Sequence, residues 1–506
     1  MDNVIEFDTS AISVGDCGET LYSARTCFSS LDTKKIKSDV TVLVQAYNSL
    51  DKTKRCVESI LKYTKDIDFD LLLIDNGSTD DTLQYFISVD YPKKTILRFT
   101  ENRGAAIPYL YIGPDMFSRY LVLVANDLIV TENWLSNMLK IAESDPKIGL
   151  VNPMSSNTSN LQDPGLKFAD YDDMQKKAAA FNVSDPAKWH ERLRIITLGT
   201  LYKKECLFAI GMPIADVGFA HNFADDDMAF RVRRAGYKVI LAGDTWIHHD
   251  DDKSRLAPEA YKKMVSDISI GRQNFRDKYF DIDAWDDVND YIPEYLKNLR
   301  YEPSESKRIL GIDTKCGTPV LEIKNKLREY SCFDPECYAF TTDAKYYIDL
   351  QTICGNNNVT CAPIDRLAGN YSPDMFDYVV IGNDINTYND PYGLIDSALR
   401  VLNKSGQLFI SLQNTYNAFT FMNIIGRTSA RNPEHSFNYS IEEFIVALKN
   451  RGYKVAYIGA RRYDERVLSD EMVSEAVSFL KKLDIKDINE AAFRLASARY
   501  YLVVEK

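Results

Sequence analysis

The sequence predicts an α/β protein made of two successive blocks, each built around a largely parallel β-sheet. In the first block, strand-like apolar segments alternate with helical ones, an order typical of parallel sheets covered by helices on both faces. The same alternation resumes near residue 308, after a charged, tyrosine-rich stretch at 251–305. Polar residues follow several strands of the first block, and ligands bind at that edge of such sheets.

Composition and charge narrow the class of protein. The chain has 506 residues, of which 45% are hydrophobic and 26% charged, as in a soluble globular protein of about three domains. A net charge of −12 disfavours binding of long nucleic acids through their phosphates. We expect no signal peptide and no membrane-spanning helix. Nine cysteines without CxxC spacing predict neither a disulfide framework nor a zinc site, which indicates a cytoplasmic protein.

Buried strands in the first block end in acidic residues. The segment DVTVLVQAY (39–47) predicts a strand, DFDLLLIDNGSTDDT (68–82) predicts one ending at Asp75, and LVLVA (121–125) runs directly into Asn126 and Asp127. A carboxylate at the end of a buried strand costs free energy because it loses water. Such a position therefore indicates a functional site.

The last strands of this block add more acids and an imidazole. LRIITLGTLY (193–202) predicts a strand, and ADDDMAFRVRRAGYKVILAG (224–243) predicts a helix that stops at Gly236, followed by a strand. His248 and His249 close the last strand, in the segment TWIHHDD (245–251). Carboxylates with one imidazole form a hard site suited to Mg²⁺ or Mn²⁺. A metal there could bind a diphosphate and neutralise a leaving group.

Six segments of this block, in the same order, resemble those of a family-2 glycosyltransferase with the GT-A fold. They are VQAYNS, LLIDNGSTDDT, ENRGAA, ANDLIVTENWL, FADDDMAFRVRRAGYKV and DTWIHH. The resemblance covers roughly 39–250 and implies an inverting enzyme that transfers a sugar from a UDP-sugar to an acceptor hydroxyl. Among family donors UDP-N-acetylglucosamine is the first candidate, and Mn²⁺ or Mg²⁺ the expected cofactor.

The resemblance also implies roles for single residues. It makes Asp225 the general base, supported by Asp227 and Arg231, and it makes Asp127 and His249 metal ligands, with His248 left open as the alternative. The implied nucleotide-sugar contacts are Ala46, Tyr47, Asp75, Asn102, Arg103, Gly104, Asn126 and Asp127.

Two positions depart from the family pattern, and each candidate residue has a structural alternative. Ala125 replaces the first acid of the metal motif, which predicts weaker metal binding, and Ala224 replaces a glutamate. The three adjacent acids at 225–227 could merely stabilise a helix start. Asp75 could be a turn residue, Asp127 a solvated loop acid and either histidine a satisfied polar residue.

The second block resembles an S-adenosylmethionine-dependent methyltransferase over about 308–460. The matching segments are FDYVVIGNDINTYNDP, LRVLNKSGQLFISLQN and NPEHSFNYSIEEFIVALKNRGYKV. The glycine-rich cofactor loop appears instead as Asp313-Thr314-Lys315-Cys316-Gly317, and its side chains would fill the space that glycine leaves for a ligand. Asp343 is the nearest candidate for the acid of the second strand. We therefore expect no binding of S-adenosylmethionine and a structural or acceptor-binding role.

Five segments follow from these patterns. They are an N-terminal extension (1–38), a GT-A domain (39–255), a partly helical linker (256–305), a methyltransferase-like domain (306–465) and a C-terminal extension (466–506). The expected partners are a nucleotide-sugar donor and either a protein acceptor such as flagellin or a glycan. Three alternatives remain open: polysaccharide assembly at the cell surface, a bifunctional glycosyltransferase and methyltransferase, and a non-catalytic binding protein.

Overall fold

The structure is a computed structural model of the chain. It describes residues 4–10, 38–112, 116–211, 214–216, 218–219, 222–250, 258–303, 306–420, 438–463, 468–482 and 487–506. Most of the predicted N-terminal extension lies outside the described residues, as does the beginning of the segment 432–455. The chain divides into two compact units, 1–289 and 290–506, so the division falls inside the segment predicted as a linker.

The first unit contains one mixed sheet whose first half is parallel. Its strand order is β1-β4-β3-β2-β5-β9-β7-β10-β6, with β8 paired to β10. The strands are β1 (Val4–Phe7), β2 (Val40–Ala46), β3 (Phe69–Asn76), β4 (Lys94–Phe99), β5 (Tyr120–Ala125), β6 (Leu128–Ile129), β7 (Ile148–Ser155), β8 (Trp189–Glu191), β9 (Thr200–Lys203) and β10 (Lys238–His249). Strands β1 to β5 are parallel neighbours, and β9 runs antiparallel to both β5 and β7.

Helices cover both faces of this sheet. They are α1 (Leu50–Tyr63), α2 (Thr82–Ser88), α3 (Ile107–Leu110), α4 (Trp134–Ser144), α5 (Tyr171–Phe181), α6 (Lys204–Ile210), α7 (Ala224–Arg234) and α8 (Pro258–Lys278), with a 3₁₀ turn at Pro186–Lys188. Alternate residues of β2 face opposite sides, so that Val42 and Val44 join one hydrophobic core while Leu43 joins the other. Trp134 is fully buried in the first core.

The strand predicted over 193–202 is shorter in the structure and begins only at Thr200. Residues before it find hydrogen-bond partners in side chains instead of a neighbouring strand. The Ile196 N–H donates to Gln162 Oε1 at 2.7 Å, and the Leu198 N–H donates to Asn152 Oδ1 at 2.9 Å. The apolar pattern of this segment reflects its burial, while its backbone is held in an irregular conformation by these two amides.

The second unit has a separate sheet in the order β13-β12-β11-β14-β15-β17-β16. Its strands are β11 (Arg308–Ile312), β12 (Glu336–Thr341), β13 (Val359–Cys361), β14 (Phe376–Ile381), β15 (Leu402–Gln413), β16 (Lys454–Arg462) and β17 (Ser497–Glu505). The first five are parallel, and β17 is antiparallel to both β15 and β16. The predicted α/β class with two Rossmann-like sheets is thus confirmed.

Helices of the second unit connect these strands. They are α9 (Pro293–Lys297), α10 (Thr318–Glu329), α11 (Tyr347–Cys354), α12 (Leu367–Asn370), α13 (Pro391–Val401), α14 (Ile441–Asn450), α15 (Asp470–Lys482) and α16 (Ile488–Ala496), with 3₁₀ turns at Ala344–Tyr346, Ile364–Arg366 and Ile385–Thr387. Helix α14 begins with a capping box between Ser440 and Glu443, and Phe444 and Leu448 on its inner face are buried.

Candidate functional site

The carboxyl ends of β2, β3 and β5 bring the first group of predicted residues to one edge of the sheet. Ala46 pairs with Asp75 across β2 and β3, and Gln45 pairs with Ala125 across β2 and β5. Ala46 is buried, whereas the side chain of Tyr47 is 48% exposed just beyond the strand. A ligand at this edge would therefore meet the tyrosine ring and the backbone of Ala46.

Asp75 is buried at the end of β3 and bonds to the turn that follows. Its Oδ1 accepts a hydrogen bond from the Ser78 N–H at 2.9 Å, so the residue also has the turn role considered above. Burial raises the pKa of this carboxyl above its ordinary value, although the bonds from Ser78 oppose the shift. Gly77 has φ +75°, and a Cβ there would lie 2.4 Å from the Asn102 backbone nitrogen. Only glycine lets these two segments meet.

Arg103 is held by the N-terminal strand segment. Its Nη2 donates to the Ser10 carbonyl and to Glu101, both at 2.6 Å, and its Nε donates to the Thr9 carbonyl at 3.2 Å. The buried Thr9 hydroxyl in turn donates to the Glu101 carbonyl at 2.7 Å. Residues 4–10 thus fix the segment that contains Asn102, Arg103 and Gly104.

Asn126 and Asp127 follow β5 with different roles. The Asn126 amide donates to the Asn48 carbonyl at 3.1 Å and to Thr53 Oγ1 at 2.9 Å, which ties the strand end to α1. Asp127 faces β10, where its Oδ2 lies 3.4 Å from His249 Nε2. This contact is possible because β6 pairs Leu128 with His249 immediately after Asp127.

Asp127 and His249 each have one polar side-chain atom that makes no hydrogen bond. Asp127 Oδ1 and His249 Nδ1 are both buried and have no hydrogen-bond partner. Burial raises the pKa of Asp127, but the contact with His249, a backbone hydrogen bond and the charge of Lys52 together outweigh it, so the net pKa lies below the ordinary value and the carboxylate is ionised at neutral pH. The adjacent His248 differs, because its Nδ1 contacts Ser156 Oγ at 2.6 Å. The geometry therefore favours His249 over His248 as Asp127's partner.

The pair fits a divalent metal as a partial ligand set. An ionised carboxylate with an unpartnered buried oxygen and an imidazole nitrogen beside it are ligands that Mn²⁺ accepts. Within the described residues, no group of three or more His, Cys, Asp or Glu side chains is arranged to bind a metal. Among the described residues, Asp127 and His249 are thus a pair that could contribute ligands to such a metal without completing its ligand set.

Asp225, in the first turn of α7, is bonded to a residue that the sequence did not single out. Thr197 Oγ1 donates to Asp225 Oδ1. Burial raises the pKa of Asp225, and the Thr197 bonds and the charge of Arg194 oppose that rise. Tyr109 of α3 is close enough that the charge of Asp225 adds to burial in raising its phenol pKa. The segment after Gly104 and the predicted base are therefore neighbours.

The other two acids of α7 form buried ion pairs. Asp226 pairs with Arg194, and burial raises the pKa of Asp226 to about 6 in spite of that arginine. Asp227 is fully buried and accepts bonds from Arg231 Nε at 2.9 Å, Lys278 Nζ at 2.5 Å and the Tyr279 hydroxyl at 2.7 Å. The N-cap of α7 is Phe223, which makes no side-chain cap bond. Because each of the three carboxylates binds a side chain, their role is not limited to stabilising the start of the helix.

In the second unit, the loop that replaces the glycine-rich cofactor loop is Asp313–Gly317, and its side chains bond to neighbouring segments. Asp313 and Lys315 have φ of +47° and +51°, and Gly317 has φ of +99°, so the backbone keeps a left-handed conformation at all three positions. Asp313 is buried. Its Oδ1 accepts bonds from the Thr342 N–H at 2.7 Å and hydroxyl at 3.0 Å, and its Oδ2 accepts one from the Tyr388 hydroxyl at 2.9 Å.

These contacts occupy the place where the resemblance to a methyltransferase would put S-adenosylmethionine. The Asp313 carboxylate joins the ends of β11 and β12 to the segment after β14, across the edge at which a parallel sheet binds its ligand. Asp343, the candidate acid of the second strand, instead accepts a bond from the Lys345 N–H at 2.8 Å and caps a 3₁₀ turn.

Comparison with known proteins finds a family match for one part of the chain. Residues 41–194 match the family model described as Glycosyl transferase family 2. An uncharacterized protein y4gI of Sinorhizobium fredii is 24% identical over 227 residues, which is 43% of this chain and 25% of that protein. The chain thus spans about a quarter of that relative's length. Among the described residues, no helix has the length and apolarity needed to cross a membrane.

Solved structures give weaker likenesses. The crystal structure of GalNAc-T7 with UDP, GalNAc and Mn²⁺ is 14% identical, with a TM-score of 0.33 over 42% of this chain and 44% of that one. A SAM-dependent methyltransferase from Archaeoglobus fulgidus is 14% identical, with a TM-score of 0.27 over 40% of this chain and 87% of that one.

Proposed function

We propose that the chain is an inverting, metal-dependent glycosyltransferase, because residues 41–194 match the family model described as Glycosyl transferase family 2. The observation that carries the proposal is Asp127 beside His249 at the carboxyl end of β5, with a buried carboxylate oxygen unpartnered. The donor that we propose is a UDP-sugar, with UDP-N-acetylglucosamine to be tested first. A screen of sugar nucleotides that measures release of the nucleoside diphosphate tests this directly.

In the proposed reaction, the chain's own residues bind the donor and move one proton. Asp75 and the Asn102–Gly104 segment would contact the nucleotide, and Asp127 with His249 would hold Mn²⁺ or Mg²⁺. When bound, such a metal supplies positive charge that stabilises a departing diphosphate. Asp225 would accept the proton of the acceptor hydroxyl while that oxygen bonds to the anomeric carbon and the bond to the diphosphate breaks.

We propose an acceptor hydroxyl on a cytoplasmic bacterial protein such as flagellin, with a polysaccharide intermediate as the alternative. Support comes only from the sequence resemblance, since the chain joins a glycosyltransferase domain to a methyltransferase-like one. Radiolabelled sugar transferred in an extract separates the two, because a protein acceptor is sensitive to protease and a lipid-linked glycan is extracted into organic solvent.

Thr197→Val is expected to move the acid limb of the rate–pH profile to higher pH. The Thr197 hydroxyl bonds the ionised form of Asp225 and so lowers its pKa. Without that bond the pKa rises further, and a base that must be deprotonated then loses activity at a higher pH as the solution is acidified. Thr197→Ser keeps the hydroxyl and serves as the control. A profile that does not move in the valine variant would contradict the assignment of Asp225.

Titration of the full chain with S-adenosylmethionine is expected to show no heat of binding at millimolar ligand. Binding would require breaking the bonds that Asp313 makes to Thr342 and Tyr388, and would leave a buried carboxylate without partners. The demethylated product should behave in the same way, and an active methyltransferase titrated in parallel controls for ligand quality. A micromolar dissociation constant would instead favour the bifunctional enzyme.

A further inference from the structure

The residue before helix α7 has an unusual backbone conformation. Phe223 has φ +69° and ψ 1°, in the left-handed region that bulky residues rarely occupy. Its carbonyl accepts the Asp227 N–H at 2.9 Å and so starts the helix. Because Asp225 lies only two residues further along, the backbone angles at Phe223 determine the direction in which its carboxylate points.

Aromatic packing holds this conformation. The Phe223 side chain is 5% exposed, its ring stacks on Trp285 with centroids 5.2 Å apart and planes at 29°, and it lies 6.3 Å from the fully buried ring of Phe275. We call Phe223, Phe275 and Trp285 the aromatic clamp. Phe275 belongs to α8 and Trp285 follows it, so both come from the segment that the sequence predicted as a linker.

Helix α8 approaches Phe223 closely because it carries a glycine at the contact. A Cβ at Gly271 would lie 2.9 Å from the Asn222 carbonyl oxygen and 2.9 Å from Phe223 Cδ2, closer than real Cβ atoms come. The next residue steadies Trp285, because the Arg272 guanidinium lies 5.1 Å from its ring centroid and Arg272 Nε bonds Asp283 Oδ2 at 2.6 Å.

We propose that the aromatic clamp positions Asp225, so that Phe223, Phe275 and Trp285 are positioning residues for proton transfer. The proposal rests on the proposed function, in which Asp225 is the base. A strained backbone conformation persists only where the surrounding structure imposes it, and such strain concentrates at active sites. Phe275 and Trp285, which hold the backbone conformation of Phe223, belong to 258–289, a segment beyond the region 41–194 that matches the family.

Trp285→Ala is expected to lower kcat for UDP release from UDP-N-acetylglucosamine by about tenfold or more, since small displacements of a reacting group are costly. The dissociation constant of UDP measured with Mn²⁺ should not change, because the described ring contacts of Phe223 and Trp285 do not involve Asp127 or His249. Trp285→Phe keeps a stacking ring and should restore most of kcat. An unchanged kcat in the alanine variant, or loss of UDP affinity equal to the loss of kcat, would overturn the proposal.

Gly271→Ala is a second variant that tests the clamp, and we expect it to fold because the substitution does not destabilise helix α8. Alanine favours a helix over glycine, so the substitution should preserve α8 while its methyl group displaces Phe223. We expect a fall in kcat like that of Trp285→Ala. Ser269→Ala, at an exposed position of the same helix, is the matched control and should retain full kcat. Equal activity in the two variants would count against the clamp.

Hydrogen exchange tests the clamp independently of catalysis. The Asp227 amide bonds the Phe223 carbonyl, so Trp285→Ala and Gly271→Ala should both speed exchange at Asp227 and leave exchange in β2 and β3 unchanged. If the wild-type chain does not cleave UDP-N-acetylglucosamine, the donor proposal fails, while faster exchange still supports the clamp. Unchanged exchange at Asp227 in both variants would refute it.

Discussion

Asp225→Asn is expected to lower sugar transfer by about 10²–10⁴-fold, the usual contribution of a general base. The amide has nearly the size of the carboxylate and can still contact Thr197, but it cannot accept the acceptor's proton. Binding of UDP in the presence of Mn²⁺ should stay within about twofold of wild type, because a residue that acts only on the acceptor contributes little to donor binding. Steady-state kinetics and calorimetry of the same preparation measure the two quantities.

The control for this substitution is Asp66→Asn. Asp66 is exposed before β3, near the opposite ends of the parallel strands, and its change should leave transfer intact. The assignment of Asp225 would be wrong if its asparagine variant kept more than about half of the wild-type turnover, which is far outside the effect of losing a base. Asp226 is no substitute base in this scheme, because its carboxylate is paired with Arg194.

Loss of the metal is expected to have the second large effect. Excess chelator should stop transfer, and Mn²⁺ or Mg²⁺ should restore it. Asp127→Ala should weaken metal-dependent UDP binding by about tenfold or more, which corresponds to about 1.4 kcal/mol. The physical reason is that the alanine removes the carboxylate that lies beside His249, and Ala125 supplies no acid at the first position of the metal motif. Calorimetry with UDP, with and without Mn²⁺, measures the difference.

The two histidines supply a matched pair of variants for the same experiment. His249→Asn should weaken metal-dependent UDP binding, because His249 Nε2 lies beside Asp127. His248→Asn should leave that binding nearly unchanged, because its imidazole is engaged by Ser156. Full transfer by the wild-type chain in excess chelator would eliminate the metal mechanism, and a larger effect at His248 would reverse the assignment.

Local sequence patterns were enough to predict the strands and the helix that carry the site residues. The strands that end at Ala46, Asp75 and Ala125 have continuous apolar sequences, and parallel strands necessarily bring their carboxyl ends to one edge. The helix at 224–234 and its end before Gly236 also follow from sequence, since Gly236 has φ +87° and glycine adopts that angle without cost.

The contacts that complete the site could not be predicted, because they join residues far apart in the chain. Thr197 is 28 residues from Asp225, and Lys278 is 51 residues from Asp227. No spacing rule links such pairs, and neither Thr197 nor Lys278 lies in a recognisable motif. The failed strand prediction at 193–199 has the same origin, since its backbone partners, Gln162 and Asn152, come from the loop-rich region and from β7.

The strand β1 has a consequence for the order in which this protein can be assembled on the ribosome. Val4–Phe7 is synthesised before every other strand described, yet its only described neighbour in the sheet is β4, and Thr9 and Glu101 are 92 residues apart. Strands β2 and β3 can pair while β1 still waits for its partner to emerge. The segment around Arg103 therefore gains its final support only after β4 has been synthesised and residues 4–10 have paired beside it.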